Sequence, residues 1–236
     1  MSSKTPLNLA SSLLKTYSLS TVLFDIGSTL VNSRGRSPSA LIAGFLNDPG
    51  ITSADIGNII MQEDLQTPDE VYVRLGDVFG DVDPCVRQEI AGLWATQSAS
   101  LERLSAAKGV LRCFKDAGCK IGVVSNIWRP YYEAFKDACP ELLELIDYQA
   151  LSFKEGYKKP APEIFLRTLD ALNSTPQATL MIGDTYDNDI GPAIALGMKT
   201  VWVLSRIEHE RQALIGVLNG QRPRPLYCIE DISDFV

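Results

Sequence analysis

The second half of the chain alternates short apolar segments with amphipathic segments of about ten residues, and this alternation limits the possible folds most strongly. Helical periodicity fills the intervals between the apolar runs. Strands that alternate with helices of this length need crossover connections, which produce a parallel sheet. The fold class predicted is therefore α/β, a parallel sheet flanked by helices. The predicted strands cover 22–24, 120–124, 148–153, 179–182, 199–204 and 226–229.

The segment from about residue 39 to 104 lacks this alternation. Apolar residues recur there at helical spacing, and we predict no strand. Thr67-Pro68 and Asp83-Pro84 predict helix starts, because proline fits the first helical turn. Residues 1–17 form either a short amphipathic helix or a frayed arm. The expected division is a core at 18–36 and 105–236, an all-helical insertion at 37–104 and an N-terminal arm at 1–17.

Composition and charge exclude some classes of partner. The 236 residues carry a formal net charge of −7, whereas nucleic-acid and anionic-membrane binding require a basic surface. We therefore expect neither partner, and no apolar run is long enough for a transmembrane helix. The five cysteines form no C-x-x-C pair, which is typical of reduced thiols. The predicted location is cytoplasmic, and the predicted state is a monomer or homodimer.

Chemically active residues follow several of the predicted strands. Asp25 follows the first, Ser125 and Asn126 end the second, and Asp184 follows a later one, while Lys159 lies in a loop between them. The carboxyl ends of parallel strands face the same edge of a sheet, where ligands bind. Asp25 alone also fits an aspartate that caps a turn. The set as a whole predicts one site.

These residue types suit phosphoryl transfer. Asp25 and Asp184 offer the oxygen ligands that Mg²⁺ prefers. Ser125 and the turn after Asp25, with the amides and hydroxyls of Ser28 and Thr29, offer donors for phosphate oxygens. Lys159 would neutralise phosphate and carboxylate together, so that the Asp25 carboxylate could attack phosphorus in line.

Four segments resemble the motifs of the haloacid dehalogenase-like (HAD) hydrolase superfamily, in their order and spacing. In the fourth, Gly-Asp-x-x-x-Asn-Asp, the two outer acids are Asp184 and Asp189. The segments are Asp-Ile-Gly-Ser-Thr at 25–29, Val-Val-Ser-Asn at 123–126, the Lys-Pro loop at 156–165 and Gly-Asp-Thr-Tyr-Asp-Asn-Asp at 183–189.

The resemblance implies a Rossmann-like hydrolase core with a helical cap of the C1 type, inserted after the first strand. It implies that Asp25 is the nucleophile and forms an aspartyl phosphate. Mg²⁺ would be bound by Asp25, Asp184 and the Gly27 carbonyl, with Asp189 as a direct or supporting ligand. The implied substrate is a small phosphorylated metabolite.

The resemblance also assigns the substrate-binding residues. Ser125 and Lys159 would bind the transferred group, and Thr29 would orient the first loop. Ser28 and Asn126 complete the expected substrate-binding set. Lys158, beside Lys159, is interpreted as a surface charge.

Gly27 departs from the family pattern. HAD phosphatases usually carry a second aspartate at this position, which protonates the leaving group and later activates water. Glycine keeps the backbone carbonyl but removes this acid–base group, which contributes roughly 10²–10⁴-fold in rate.

Four functions therefore remain open. The chain is a phosphatase favouring leaving groups of low pKa, a catalytically weak binding or regulatory protein, a haloacid dehalogenase or a phosphonate hydrolase. The dehalogenase is disfavoured because the aromatic residue that those enzymes carry at the position of Gly27 is missing. The phosphonate hydrolase is nearly excluded, because it needs a cap lysine and none lies between Lys15 and Lys108.

Overall fold

The computed structural model describes residues 9–33 and 35–235, without the side chains of Ser33 and Ser98. Six parallel strands form one sheet in the order β5–β4–β1–β6–β7–β8, which confirms the predicted α/β class. The strands are β1 (Thr21–Phe24), β4 (Lys120–Ser125), β5 (Tyr148–Leu151), β6 (Thr179–Gly183), β7 (Lys199–Val203) and β8 (Tyr227–Ile229).

Helices cover both faces of this sheet, as crossover connections require. Those packed with it are α1 (Leu9–Tyr17), α6 (Ala107–Asp116), α7 (Arg129–Ala138), α8 (Pro140–Leu143), α9 (Ser152–Glu155), α10 (Pro162–Ala171), α11 (Gly191–Ala195) and α12 (Ile207–Leu218). Short 3₁₀ turns occupy Gln97–Ser100, Pro176–Ala178 and Ile232–Phe235.

The central strand β1 is buried on both faces because its side chains alternate between two apolar clusters. Val22 and Phe24 pack with helices α1, α6 and α7, whereas Leu23 packs with α10 on the other face. Phe114 of α6 lies edge-to-face against Phe24, with ring centroids 6.0 Å apart. A continuous apolar run is what a strand between two helical layers needs.

Residues 38–95 form four helices around an apolar cluster of their own. Ile42, Ile60, Leu75 and Ile90 are buried in this cluster, together with Trp128 from the loop before α7. The starts predicted at Pro68 and Pro84 are confirmed, with Thr67 and Asp83 accepting the capping hydrogen bonds. The helices are α2 (Pro38–Leu46), α3 (Ser53–Ile60), α4 (Pro68–Phe79) and α5 (Pro84–Ala95).

One part of the helical segment was predicted wrongly, since Leu101–Arg103 forms strand β3. It pairs antiparallel with β2 (Val31–Ser33) in a two-stranded ribbon at the junction of the helical segment and the core. Three residues with a single partly buried apolar side chain give no periodic signal. Only pairing with distant β2 makes this segment extended.

The N-terminal segment is helical over α1, and its Ala10 and Leu13 are fully buried against the core. Residues 1–8 of the predicted arm lie outside the described residues. Among the described residues, no helix combines the length and apolar character that crossing a bilayer requires.

Candidate active site

The carboxyl edge of the sheet brings together residues from distant parts of the chain. Asp25 directly follows β1, and its amide donates a 3.0 Å hydrogen bond to the Ile182 carbonyl of β6. Ser125 is the last residue of β4 and Asp184 the first after β6. The parallel register places the ends of these neighbouring strands side by side. The loop before α10 supplies Lys159.

The Lys159 ammonium lies between two carboxylates. Its Nζ donates hydrogen bonds to Asp25 Oδ1 at 2.7 Å and to Asp189 Oδ1 at 2.6 Å. Lys159 and Asp189 are almost completely buried, with 2% and 1% exposure. Burial by itself would lower the pKa of Lys159, but Asp189 and Asp25 outweigh it and raise the pKa above its usual value. Lys159 therefore stays charged and offsets part of the negative charge at this edge of the sheet.

Three carboxylates meet beside this ammonium. Ligand oxygens of Asp25, Asp184 and Asp189 all lie within 4.8 Å of one another. Burial raises the pKa of Asp184 to about 6, with Asp25 adding to the rise and Arg206 opposing it. Burial also raises the pKa of Asp189 to about 7, against the opposing charge of Lys159. Such a cluster repels itself unless cations balance it.

Arg206 supplies the second cation, and sequence reasoning missed it. Its Nε donates to Asp184 Oδ2 at 2.7 Å, and the guanidinium also reaches the Thr185 hydroxyl at 3.4 Å. Arg206 lies in the loop after β7, directly before α12. It belongs to no recognised motif. The signal that could have found it is its place after another parallel strand of the same sheet.

Asp189 reaches the site through a local distortion of the backbone. Residues Tyr186–Ile190 form a single π-helical turn, a form common at functional sites. The Thr185 amide donates to Asp189 Oδ2 at 3.0 Å. A Cβ atom on Gly183 would lie 2.5 Å from the Cβ and Cγ atoms of Asp189. Glycine is therefore required at 183 for Asp189 to pack against the end of β6.

The turn after β1 has backbone atoms directed into the same region. Gly27 pairs with Val31 in an isolated bridge, whose hydrogen bonds use the Ile26 carbonyl and the Ser28 amide. Those bonds do not use the Gly27 carbonyl, which accepts no hydrogen bond from the described residues. Ser28 has φ +57°, and its carbonyl accepts a hydrogen bond from the Ser205 hydroxyl at 2.9 Å. This contact ties the turn to the loop after β7.

Two residues of the expected substrate-binding set, Thr29 and Asn126, have different surroundings. Thr29 is fully buried and lines a separate, smaller groove of about 240 Å³ rather than the cavity above Asp25. Asn126 exchanges two hydrogen bonds with the main chain of Lys159, at 2.7 and 2.8 Å. Asn126 therefore positions Lys159. By contrast, the nearly buried Ser125 lines the main cavity, and its hydroxyl makes no hydrogen bond with the described residues.

A cavity of about 930 Å³ lies between this edge of the sheet and the helical segment. From the helical segment it is lined by residues such as Ser39, Gly57 and Met61. Lys158, interpreted from the sequence as a surface charge, is half-buried and lines this cavity. The single histidine, His209, is exposed and lies at its edge.

The oxygen donors present fit a hard divalent cation. Asp25 and Asp184 are nearly buried and have ligand oxygens within 4.8 Å of each other, and Gly27 lines the same cavity. Both Asp189 oxygens already accept hydrogen bonds, one from Lys159 and one from the Thr185 amide. An all-oxygen set with room for water is the coordination that Mg²⁺ prefers.

The family model of "haloacid dehalogenase-like hydrolase" matches residues 19–197, about three quarters of the chain. The chain belongs to this family of hydrolases. The match covers all four segments that carry the resemblance in the sequence.

Similar proteins extend this assignment. A glyceraldehyde 3-phosphate phosphatase from Pyrococcus abyssi is 35% identical over 107 residues, which cover 45% of this chain and 44% of the relative. This chain therefore spans less than half of that relative. A pyrophosphatase PpaX from Bacillus mycoides is 26% identical over 223 residues, covering 92% of this chain and 95% of its own.

A solved structure shows the same fold. The crystal structure of a HAD family enzyme from Bacteroides thetaiotaomicron, in complex with magnesium and inorganic phosphate, matches with a TM-score of 0.61. It is 21% identical, and the match covers 80% of this chain and 96% of that protein.

Replacing Gly183 by alanine tests the close approach of Asp189. The added Cβ would overlap Asp189, so we expect G183A to lower the free energy of unfolding by about 1–3 kcal/mol. The matched control is G109A in α6, where a Cβ meets nothing within 4 Å and the helix gains up to about 1 kcal/mol. Urea denaturation of both variants measures the difference. A G183A midpoint equal to that of the wild type would contradict the close packing.

The raised pKa values predict how Mg²⁺ and pH act together. A carboxyl group whose pKa is raised in the folded state destabilises the fold as pH rises from about 4 through 6–7. Bound Mg²⁺ would relieve that repulsion, and protonation would compete with it. We expect the increase in melting temperature on adding Mg²⁺ to be larger at pH 8 than at pH 5.5. In D184N the difference between the two pH values should be smaller. An equal increase in melting temperature at pH 5.5 and pH 8 in the wild type would refute the link between Mg²⁺ and these carboxyl groups.

Proposed function

We propose that the protein is a Mg²⁺-dependent phosphohydrolase that acts on a small phosphorylated metabolite through an aspartyl-phosphate intermediate on Asp25. The observation that carries this proposal is the buried contact of Lys159 with Asp25 and Asp189, at 2.7 and 2.6 Å. It fixes the carboxylate of Asp25 at the floor of a cavity and offsets the charge that a phosphate would bring. The family membership and the phosphatase and pyrophosphatase names of relatives support the same reaction.

The proposed ligands of Mg²⁺ are Asp25, Asp184 and the Gly27 carbonyl, with Asp189 in support. When bound, the ion supplies positive charge that stabilises the transferring phosphoryl group. The magnesium and phosphate bound together in the Bacteroides thetaiotaomicron enzyme are consistent with this role. Lys159 remains the cation that this chain itself contributes to the nucleophile.

One carboxylate oxygen of Asp25 accepts a hydrogen bond and the other can act as the nucleophile. Lys159 binds Oδ1, whereas Oδ2 accepts no hydrogen bond from the described residues. Attack by this oxygen would form a new bond to phosphorus while the bond to the leaving-group oxygen breaks. Water would then attack the aspartyl phosphate, releasing phosphate and restoring the Asp25 carboxylate. The free hydroxyl of Ser125 and the side chain of Ser28 are the proposed donors to the phosphate oxygens.

The remaining predicted residues act more indirectly in this proposal. Asn126 holds the main chain of Lys159 in place. Thr29, buried under the first turn, would keep that turn in position. Residues 37–104 would act as a cap over the cavity, closing it from water and selecting substrates. The cytoplasmic location and the monomeric or homodimeric state stay predictions.

Removing the nucleophile tests the reaction itself. We expect D25N to reduce Mg²⁺-dependent hydrolysis of p-nitrophenyl phosphate by at least about 10³-fold, because an amide cannot form the acyl phosphate. The matched control is D116N, an exposed aspartate at the end of α6, which should retain wild-type turnover. The measurement is steady-state phosphate release with and without Mg²⁺. Wild-type turnover in D25N would overturn the role of Asp25, and no turnover in the wild type would favour the alternative of a catalytically weak binding protein.

Glycine at position 27 predicts dependence on the leaving group. Without a nearby acid, the departing oxygen carries negative charge, so kcat/KM should rise as the leaving-group pKa falls across a series of aryl and alkyl phosphates. Gly27 does not have positive φ, so an aspartate there would not strain the backbone. G27D should therefore accelerate alkyl phosphates, by up to roughly 10²–10⁴-fold, and flatten the dependence. A wild-type rate that is independent of leaving-group pKa would reject this interpretation.

A further inference from the structure

The neighbouring residues Lys158 and Lys159 direct their ammonium groups to different parts of the cavity. Lys159 reaches the carboxylates at the end of the sheet. Lys158 instead lies against the helical segment: a Cβ atom on Gly57 of α3 would lie 3.7 Å from its Nζ and 3.9 Å from Ser39 Oγ. Lys158 Nζ is therefore located on the side of the cavity formed by α2 and α3.

Lys158 has no partner in the part of the chain that the structure describes. Its ammonium makes no hydrogen bond or ion pair there, although the residue is half-buried. Burial lowers the pKa of Lys158, and no neighbouring carboxylate opposes that shift. The other two cations near the reaction site are both paired, Lys159 with Asp25 and Asp189 and Arg206 with Asp184. A partly buried cation without a partner loses part of its hydration and attracts an anion.

The surroundings of Lys158 also lack acidic side chains. Among the described residues that line the cavity, the only carboxylates are the three of the reaction site. Lys158 is joined by Arg36 in this lining, and the Ser39 hydroxyl lies beside the same face of Gly57 as the Lys158 ammonium. This side of the cavity is therefore positive within a protein whose formal net charge is −7. Positive charge within such a cleft raises the local concentration of an anionic ligand.

We propose that Lys158 binds a second anionic group of the substrate, a carboxylate or a second phosphate, at the opposite end from the phosphate that is transferred. This inference rests on the proposed phosphohydrolase function and narrows its substrate class to small phosphate esters with two anionic ends. Gly57 keeps the space beside the ammonium open, because any larger side chain would extend into it. The second anionic group of the substrate would form the ion pair that Lys158 does not form with the described residues.

The kinetic test compares esters that differ only at the far end. The series is ethyl phosphate, carboxymethyl phosphate and ethane-1,2-diol bisphosphate, with the corresponding three-carbon compounds. We expect kcat/KM for at least one doubly anionic ester to exceed that of its alkyl partner by tenfold or more, the size of a charge-assisted contact. K158M should reduce this ratio about tenfold, and K158R should retain most of it. The carboxylate and bisphosphate arms distinguish the two sources of the anion.

A matched control and a binding measurement separate the possible failures. K108M removes an exposed lysine of α6 far from the cavity lining and should keep the wild-type ratio. Calorimetry with carboxymethylphosphonate, methylenebisphosphonate and ethylphosphonate, which lack the scissile ester, reports binding even if no ester turns over. No turnover of these esters or of p-nitrophenyl phosphate in the presence of Mg²⁺ would overturn the proposed function. Equal values of kcat/KM for the alkyl and the anionic esters would overturn the role of Lys158. Equal affinities of wild type and K158M for all three phosphonates would also overturn it.

Discussion

The ion pairs of Lys159 with Asp25 and Asp189 are the interaction on which the site depends. Three carboxylates cannot be buried within 4.8 Å of one another unless positive charge accompanies them. Lys159 provides that charge from within the core, and Arg206 provides it from the loop after β7. Removing one partner of a buried pair leaves an uncompensated charge, which is far more costly than the pair itself. Stability and chemistry at this edge of the sheet therefore depend on the same contacts.

The parallel sheet explains why the interacting residues come from such distant parts of the chain. Asp25 and Lys159 are 134 positions apart, yet β1 lies at the centre of the sheet between β4 and β6. Each crossover returns the chain so that the next strand ends at the same edge. Gly183 then allows Asp189 to pack against the end of β6. The fold thus gathers charges that local structure alone could not bring together.

The helical segment adds a second chemical environment above this edge. Its own apolar cluster, which includes Trp128, packs over the site, and Arg129 of α7 donates to Asp64 of this segment at 2.9 Å. The cavity between them has carboxylates and Lys159 on one side and, on the other, Lys158, which no described residue pairs with. This division of charge suits a ligand with two different ends.

The sequence alone determined the layout of the core. Continuous apolar runs such as Val22–Phe24 can be buried only between two layers, and the polar residues that follow them mark one edge of the sheet. The order of strands along the chain predicted that one edge of the sheet would hold Asp25, Ser125, Lys159 and Asp184.

Only the tertiary structure decided which side chains make contact. Packing between distant segments sets the ion pair of Arg206 with Asp184 and the pairing of β2 with β3. It also sets the different directions of Lys158 and Lys159. Asn126 and Thr29 belong to the motifs, yet one bonds to the main chain of Lys159 and the other is buried beside a separate groove. Local sequence patterns carry the period of a strand or helix. The direction of a side chain within a cavity is set by neighbours that the pattern does not contain.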